Sequence, residues 1–182
     1  MLRFECTRCG ECCRGPGRAR LSAVDVQRLA RHLDLSAEDF VARYTEQVVF
    51  VTPDLTPAPQ PELVLSKANE ACIFLQGDEC SVHLAKPDGC RLGPFTFGIL
   101  GSDRNWAHFQ RICPGLEQGP AIPWESVQES LEDERRLRAT EPRTTEEFAA
   151  ELGIEPHQLP PLQTILLTET GSLPGMDRGD RE

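Results

Sequence analysis

The stretch Cys6-Thr7-Arg8-Cys9-Gly10-Glu11-Cys12-Cys13 places four of the chain's eight cysteines within eight residues. Its first three sulfurs keep a C-x2-C-x2-C rhythm, the spacing with which one loop wraps a single ion or cluster. Thiolates are soft donors that favour zinc, copper(I) and iron–sulfur centres. Gly10 permits a left-handed turn that aims backbone N–H groups at sulfur, and Arg8 and Arg14 offset accumulated negative charge. Adjacent side chains normally diverge, so Cys12 and Cys13 are expected to serve different sites. The octet then supplies only part of each ligand set, and Cys72, Cys80, Cys90 and Cys113 supply the rest. Tetrahedral zinc and a cubane cluster each take four ligands, so eight thiols suffice for two sites or for one site with spares.

The surrounding composition bounds this reading. A chain of 182 residues holds one ordinary domain with a core plus additions. Met1 to Cys6 contains no apolar leader, and no run approaches a membrane span, so a cytoplasmic, non-membrane protein is expected. In a reducing compartment dense cysteine points to metal or redox chemistry rather than disulfides. The net charge is −10, yet the segment to Arg20 carries five arginines against Glu5 and Glu11. From Pro123 onward fourteen acidic residues face six basic ones. That acidic balance argues against a nucleic-acid partner.

Working outward, Arg14-Gly15-Pro16-Gly17 reads as a turn. Leu21-Ser22-Ala23-Val24-Asp25-Val26 reads as a helix start, with Ser22 as cap, Asp25 as its reciprocal partner and Leu21 and Val26 as a hydrophobic staple. Leu35, Ser36, Asp39 and Phe40 repeat the device for a second helix ending near Tyr44. Val48–Val51 and Leu63–Leu65 have strand character, separated by a connection rich in proline at 53, 57, 59 and 61. Cys72–Leu75 and Cys80–His83 flank Gly77 as a hairpin. Lys86–Arg91 reads as a turn bearing Cys90. Phe95–Phe97 and Trp106–Phe109 read as two further strands. Beyond them, Trp124, Val127 and Leu131 form the stripe of a helix to about Ala139, and Thr144 caps another with Glu147 three residues on. Leu173–Glu182 has little to bury and is expected to be disordered.

The remaining candidate donors read as ordinary residues. His32, His108 and His157 stand alone, and the C-terminal carboxylates form a solvated face with no pair set in apolar surroundings. No glycine-rich dinucleotide loop is present, and no catalytic residue is assigned. Two arguments bear on the metal. Cys6, Cys9 and Cys12 match a ferredoxin-like run, and Cys113 is followed by Pro114, as the remote ligand of an iron–sulfur cluster often is. Structural zinc, in turn, contributes on the order of 10 kcal/mol to folding a small loop-rich domain. Zinc, iron and a [4Fe-4S] cluster therefore all stay open.

The octet, followed by Cys72-Ile73-Phe74-Leu75, Cys80-Ser81-Val82-His83, Lys86-Pro87, Cys90-Arg91, Cys113-Pro114-Gly115 and Gly119, resembles the YkgJ-like cysteine cluster family (CxxCxxCC), a zinc- or iron-chelating domain. The resemblance spans about Leu2 to Gly119. It implies that Cys6, Cys9, Cys12, Cys13, Cys72, Cys80, Cys90 and Cys113 are all family positions and candidate metal ligands. It also implies that His83 stands where relatives carry tyrosine, which counts against His83 as a ligand. The chain departs from the family at Gly93, where a bulky residue usually precedes the proline.

The expected fold is α+β: a small cysteine-rich, metal-centred domain over 1–119 with short helices and short antiparallel strands, a helical C-terminal extension over 120–160, and a flexible tail over 161–182. The expected function is zinc or iron binding, including an iron–sulfur cluster, in an accessory, metal-handling or electron-transfer role. The alternative is an iron–sulfur-dependent redox or group-transfer enzyme of the kind suggested for methylase-like proteins with a similar cluster.

Overall fold

The computed structural model describes residues 2–15, 17–51, 60–140 and 144–167. Its elements run β1 (Leu2–Phe4), α1 (Glu11–Arg14), α2 (Ala23–His32), α3 (Ala37–Tyr44), β2 (Thr45–Val51), β3 (Pro61–Leu65), β4 (Lys67–Ala68), β5 (Ala71–Cys72), β6 (Leu75–Gln76) and β7 (Glu79–Cys80). A 3-10 turn at His83–Ala85 leads to α4 (Asp88–Leu92), α5 (Phe97–Leu100), α6 (Asp103–Ile112), β8 (Leu116–Ile122), α7 (Trp124–Thr140) and α8 (Thr145–Leu152). A second 3-10 turn, Pro156–Gln158, precedes β9 (Leu162–Leu166). The class is α+β, as the sequence predicts.

The two early helices form where their caps say they should. Ser22 Oγ accepts from the Asp25 N–H at 3.1 Å while the Ser22 N–H donates to the Asp25 carboxylate at 3.0 Å. Ser36 Oγ likewise accepts from the Asp39 N–H at 3.0 Å. Each such cap stabilises its helix by about 1 kcal/mol. Val26, Leu29, Phe40 and Val41 are fully buried, and each contributes about 1.5–3 kcal/mol through removal of its side chain from water. Phe40 stacks on Phe74 with ring centroids 6.3 Å apart, and Tyr44 meets the same ring at 4.9 Å. Phe74 lies between Cys72 and Cys80, so the helical core grips the chain at the middle of the cysteine-bearing segment.

β2 is the centre of a three-stranded sheet, antiparallel to β3 and parallel to β9. Two-residue ladders join β4 to β5 and β6 to β7; the latter turns through Gly77 as the sequence predicts, but its arms are shorter than expected, because Cys72 pairs with Lys67 and His83 opens a 3-10 turn. β1 pairs antiparallel with β8, matching Leu2 to Ile122 and Phe4 to Leu116. The predicted capping box of α8 is present, with the Glu147 N–H donating to Thr144 Oγ1 at 3.1 Å. Phe148, Ala149 and Leu152 of that helix enter the same apolar cluster as Leu29 and Leu63, so this part of the C-terminal region helps to build the core.

Several expectations are corrected. Phe95–Phe97 and Trp106–Phe109 do not form strands: Phe97 opens α5, and Trp106 and Phe109 lie within α6. Ser102 caps α6 by accepting from the Asn105 N–H at 3.4 Å, and Trp106, Phe109 and Ile112 recur at helical spacing on a half-buried row. Aromatic strand propensity is a weak prior that such local signals override. The predicted turn around Asp88 is wound into the single turn of α4. Trp124 is 56% exposed, leaving Val127, Leu131 and Glu134 as the inward row of α7. The segment expected as a flexible tail begins with β9, held along β2 from Gln47↔Leu162 to Val51↔Leu166. Leu173–Glu182 and the prolines at 53, 57 and 59 lie outside the described residues.

Candidate metal centre

The octet leaves β1, passes through left-handed Arg8 and Gly10, and closes into α1, where the Cys13 N–H donates to the Gly10 carbonyl at 2.9 Å. Gly10 has φ +75°, and a Cβ there would meet the Asp78 carbonyl oxygen and Leu75 Cδ1 at 2.8 Å. Only glycine lets the loop press this closely on the β6–β7 hairpin. Arg14 secures the contact: its guanidinium donates to the Cys9 carbonyl at 3.1 Å and the Gly77 carbonyl at 2.8 Å, and pairs with the Asp78 carboxylate.

A second contact ties the start of the octet to the last cysteine. The Glu5 N–H donates to the Gly115 carbonyl at 3.0 Å. A Cβ on Gly115 would lie 2.2 Å from the Glu5 carbonyl oxygen, so no side chain fits between Cys6 and Cys113 on these strands. Phe4 packs edge-on against Phe95 at 5.9 Å.

A buried ion network fixes the third region. Asp25 is 3% exposed. It pairs with Arg28, which also donates to the Asp88 carboxylate at 2.8 Å and the Lys86 carbonyl at 3.2 Å. The Asp88 N–H donates back to the Asp25 carboxylate at 3.0 Å. The first turn of α2 thereby holds the start of α4, the helix that carries Cys90.

These contacts gather the ligand candidates. Cys6, Cys9, Cys12, Cys13, Cys72, Cys80, Cys90 and Cys113 all line one cavity of about 530 Å³, and all eight are free thiols. Among the described residues, no three His, Cys, Asp or Glu side chains already converge as a closed single-ion site. The sulfurs surround a shared space instead, and a bound centre has to draw its own subset inward.

Their electrostatics divide them. The neighbouring Cys13 thiol favours the thiolates of Cys12 and Cys72, lowering Cys12 to about 6 and Cys72 to about 7, while Cys13 itself is raised. Lys86 further favours the Cys12 thiolate, and the Phe74 N–H and Lys67 favour that of Cys72. Burial, followed by the charges of Cys12, Cys72 and Cys80, pushes Cys90 up to about 12. Its side chain lines the cavity and is accessible to water there. Burial also raises Cys80, next to Cys72 and Cys12, and Cys113, next to Cys9 and Cys12.

The same cavity takes in residues that sequence reasoning discounted or missed. His83 lines it, and its Nε2 is buried without a hydrogen-bond partner. Burial and the nearby Lys86 and Arg8 lower the His83 pKa. The Cys80-x2-His83 spacing was the available signal. Glu134, 8% exposed, also lines the cavity and accepts from the Phe97 N–H at 2.6 Å. It caps α5 from α7, a long-range device with no local signature. His32, His108 and His157 are not among the cavity residues.

No helix among the described residues is long and apolar enough to cross a membrane. Comparison with curated proteins and with solved structures gave no match. A family model does match residues 5–114, from the residue before the first cysteine to the one after the last, and its description reads "Putative zinc- or iron-chelating domain". The eight cavity thiols all lie within that range, and the chain belongs to the CxxCxxCC family.

Proposed function

We propose that this chain holds zinc or iron in the eight-thiol cavity and serves as a cytoplasmic accessory protein for metal handling or electron transfer. The observation that carries the reading is that one cavity is lined by all eight cysteines, drawn from five separate stretches of chain. Eight thiols exceed the need of one tetrahedral ion, and the two electrostatic neighbourhoods support a division of ligands. Cys12, Cys13, Cys72, Cys80 and Cys90 interact around the thiolate pair. Cys113 interacts with Cys9 and Cys12, and Cys6 follows the Glu5–Gly115 contact next to the β1–β8 ladder. A [4Fe-4S] cluster would use four sulfurs of the first group, and a zinc or iron ion would use the second with Cys12 or Cys13 shared between them. Arg14, Lys67 and Lys86 reduce the cost of gathering the negative charge.

Anaerobic purification followed by metal analysis and visible absorption tests this. Bound zinc gives a colourless protein with stoichiometric metal, and an iron–sulfur centre gives broad visible absorption. A folded protein that is both colourless and metal-free overturns the reading.

The second reading, an iron–sulfur-dependent redox or group-transfer enzyme, is favoured by the size of the cavity. About 530 Å³ falls within the range of small-molecule sites, and Phe4, Ile99, Phe109 and Ile112 give part of it an apolar wall. A cluster that stays redox-silent across the accessible potential range removes this reading together with electron transfer, and leaves metal handling.

A further inference from the structure

We infer that His83 supplies an imidazole nitrogen to the metal centre, making it a mixed sulfur–nitrogen site. The inference rests on the metal-binding reading above and adds a donor that neither the cysteine pattern nor the family description assigns. Its Nε2 is buried and has no hydrogen-bond partner, on a ring that lines the cavity holding all eight thiols. A buried polar nitrogen left unsatisfied costs about 1–3 kcal/mol, and ligation of a metal ion removes that cost.

The backbone around the ring is anchored on both sides. Cys80 ends β7, where it pairs with Leu75. The Ser81 N–H donates to the Phe74 carbonyl at 2.9 Å, Val82 is 1% exposed, and the Ala85 N–H closes the 3-10 turn on the Val82 carbonyl at 2.9 Å. His83 therefore follows Cys80 in a fixed C-x2-H step, a spacing that lets one short loop give sulfur and nitrogen to the same centre. Imidazole beside thiolate suits zinc and iron. On an iron–sulfur centre, replacement of thiolate by imidazole raises the reduction potential.

The test compares the full-length protein with His83→Ala and His83→Cys, each loaded anaerobically with zinc or with iron. X-ray absorption of the unaltered protein should contain the outer-shell scattering of one imidazole. His83→Ala should lose that signature and give up one equivalent of metal to a competing chelator at least tenfold more readily. His83→Cys should recover metal retention without the imidazole signature. Because no protein group bonds Nε2, metal-free His83→Ala should unfold at no lower denaturant concentration than the unaltered protein, which separates a ligand from a structural residue. If His83→Ala keeps the imidazole scattering and its metal retention, or if only its metal-free stability falls, the assignment of His83 is wrong while the cysteine site stands. An unaltered protein that takes up neither metal overturns the metal-binding reading itself.

Discussion

Cys13, in the one-turn helix that closes the octet, is set against Cys72 at the end of β5, and its thiol favours the Cys72 thiolate. The near and far halves of the ligand set therefore meet here, and Cys12 and Cys72 both ionise more readily than an ordinary thiol.

Replacing Cys13 with alanine removes that thiol. In the metal-free protein, Cys12 and Cys72 should then titrate well above about 6 and about 7, back toward the ordinary thiol range. Thiolate absorbance or the pH dependence of alkylation reads the change. The same shifts set a stability profile. A thiol whose folded pKa is depressed contributes stability that is full above its unfolded value near 9 and is lost as pH falls toward the folded value. Metal-free protein should lose denaturant resistance between about pH 9 and pH 6, and Cys13→Ala should flatten that slope.

Gly10→Ala should be costly, because the new Cβ would sit 2.8 Å from the Asp78 carbonyl oxygen at a φ of +75°. The expected loss is roughly 1–3 kcal/mol in urea unfolding. Metal retention should fall with it, since the same displacement moves Cys9 and Cys12 away from the hairpin. Gly77→Ala, also left-handed at φ +60° but with nothing within 4 Å of its Cβ, isolates the backbone strain of about 1–2 kcal/mol from the clash and should retain metal.

Asp25→Ala breaks a cap and a buried ion network together. Arg28 would be left facing Asp88 alone, and the Asp88 N–H would lose its acceptor. A destabilisation of about 3–5 kcal/mol is expected for removing one partner of a buried pair, measured by chemical denaturation. Metal should restore part of it, because ligation at Cys90 re-anchors α4.

A peptide ending at Arg20 contains the whole octet but lacks β8, the hairpin and four of the eight thiols. It should bind zinc far more weakly than the full chain and without its spectrum. Full native affinity in that peptide would refute the division of ligands between the two halves.

What the sequence disclosed follows the range of the forces involved. Ser22, Ser36 and Thr144 act over three residues, and each cap is where the chain says it is. The cysteines announce themselves by type and spacing. Phe97 and Trp106 mislead because aromatic runs also suit strands, and the Glu134 carboxylate that caps α5 arrives from a helix far along the chain. β9 lacks a strong signal because it is an edge strand, with Leu162 and Leu166 at 50% and 66% exposure. His83 is discounted in the sequence because the resemblance puts tyrosine at its position; the C-x2-H spacing is the local signal, and the unpaired nitrogen inside a cavity that several elements build is what gives it weight.

The pairing of β1 with β8 also imposes an order in time. The octet is synthesised on the order of a hundred residues before Ile122, where the strand paired with β1 ends. At ~5–20 residues per second the four leading thiols wait on the order of 5–20 s before their partners exist. During that interval they are open to oxidants and to whichever metal is most abundant. The fold thus delays selective loading until the chain has been made as far as Ile122, and a cell under oxidative stress would damage the nascent segment more readily than the folded one.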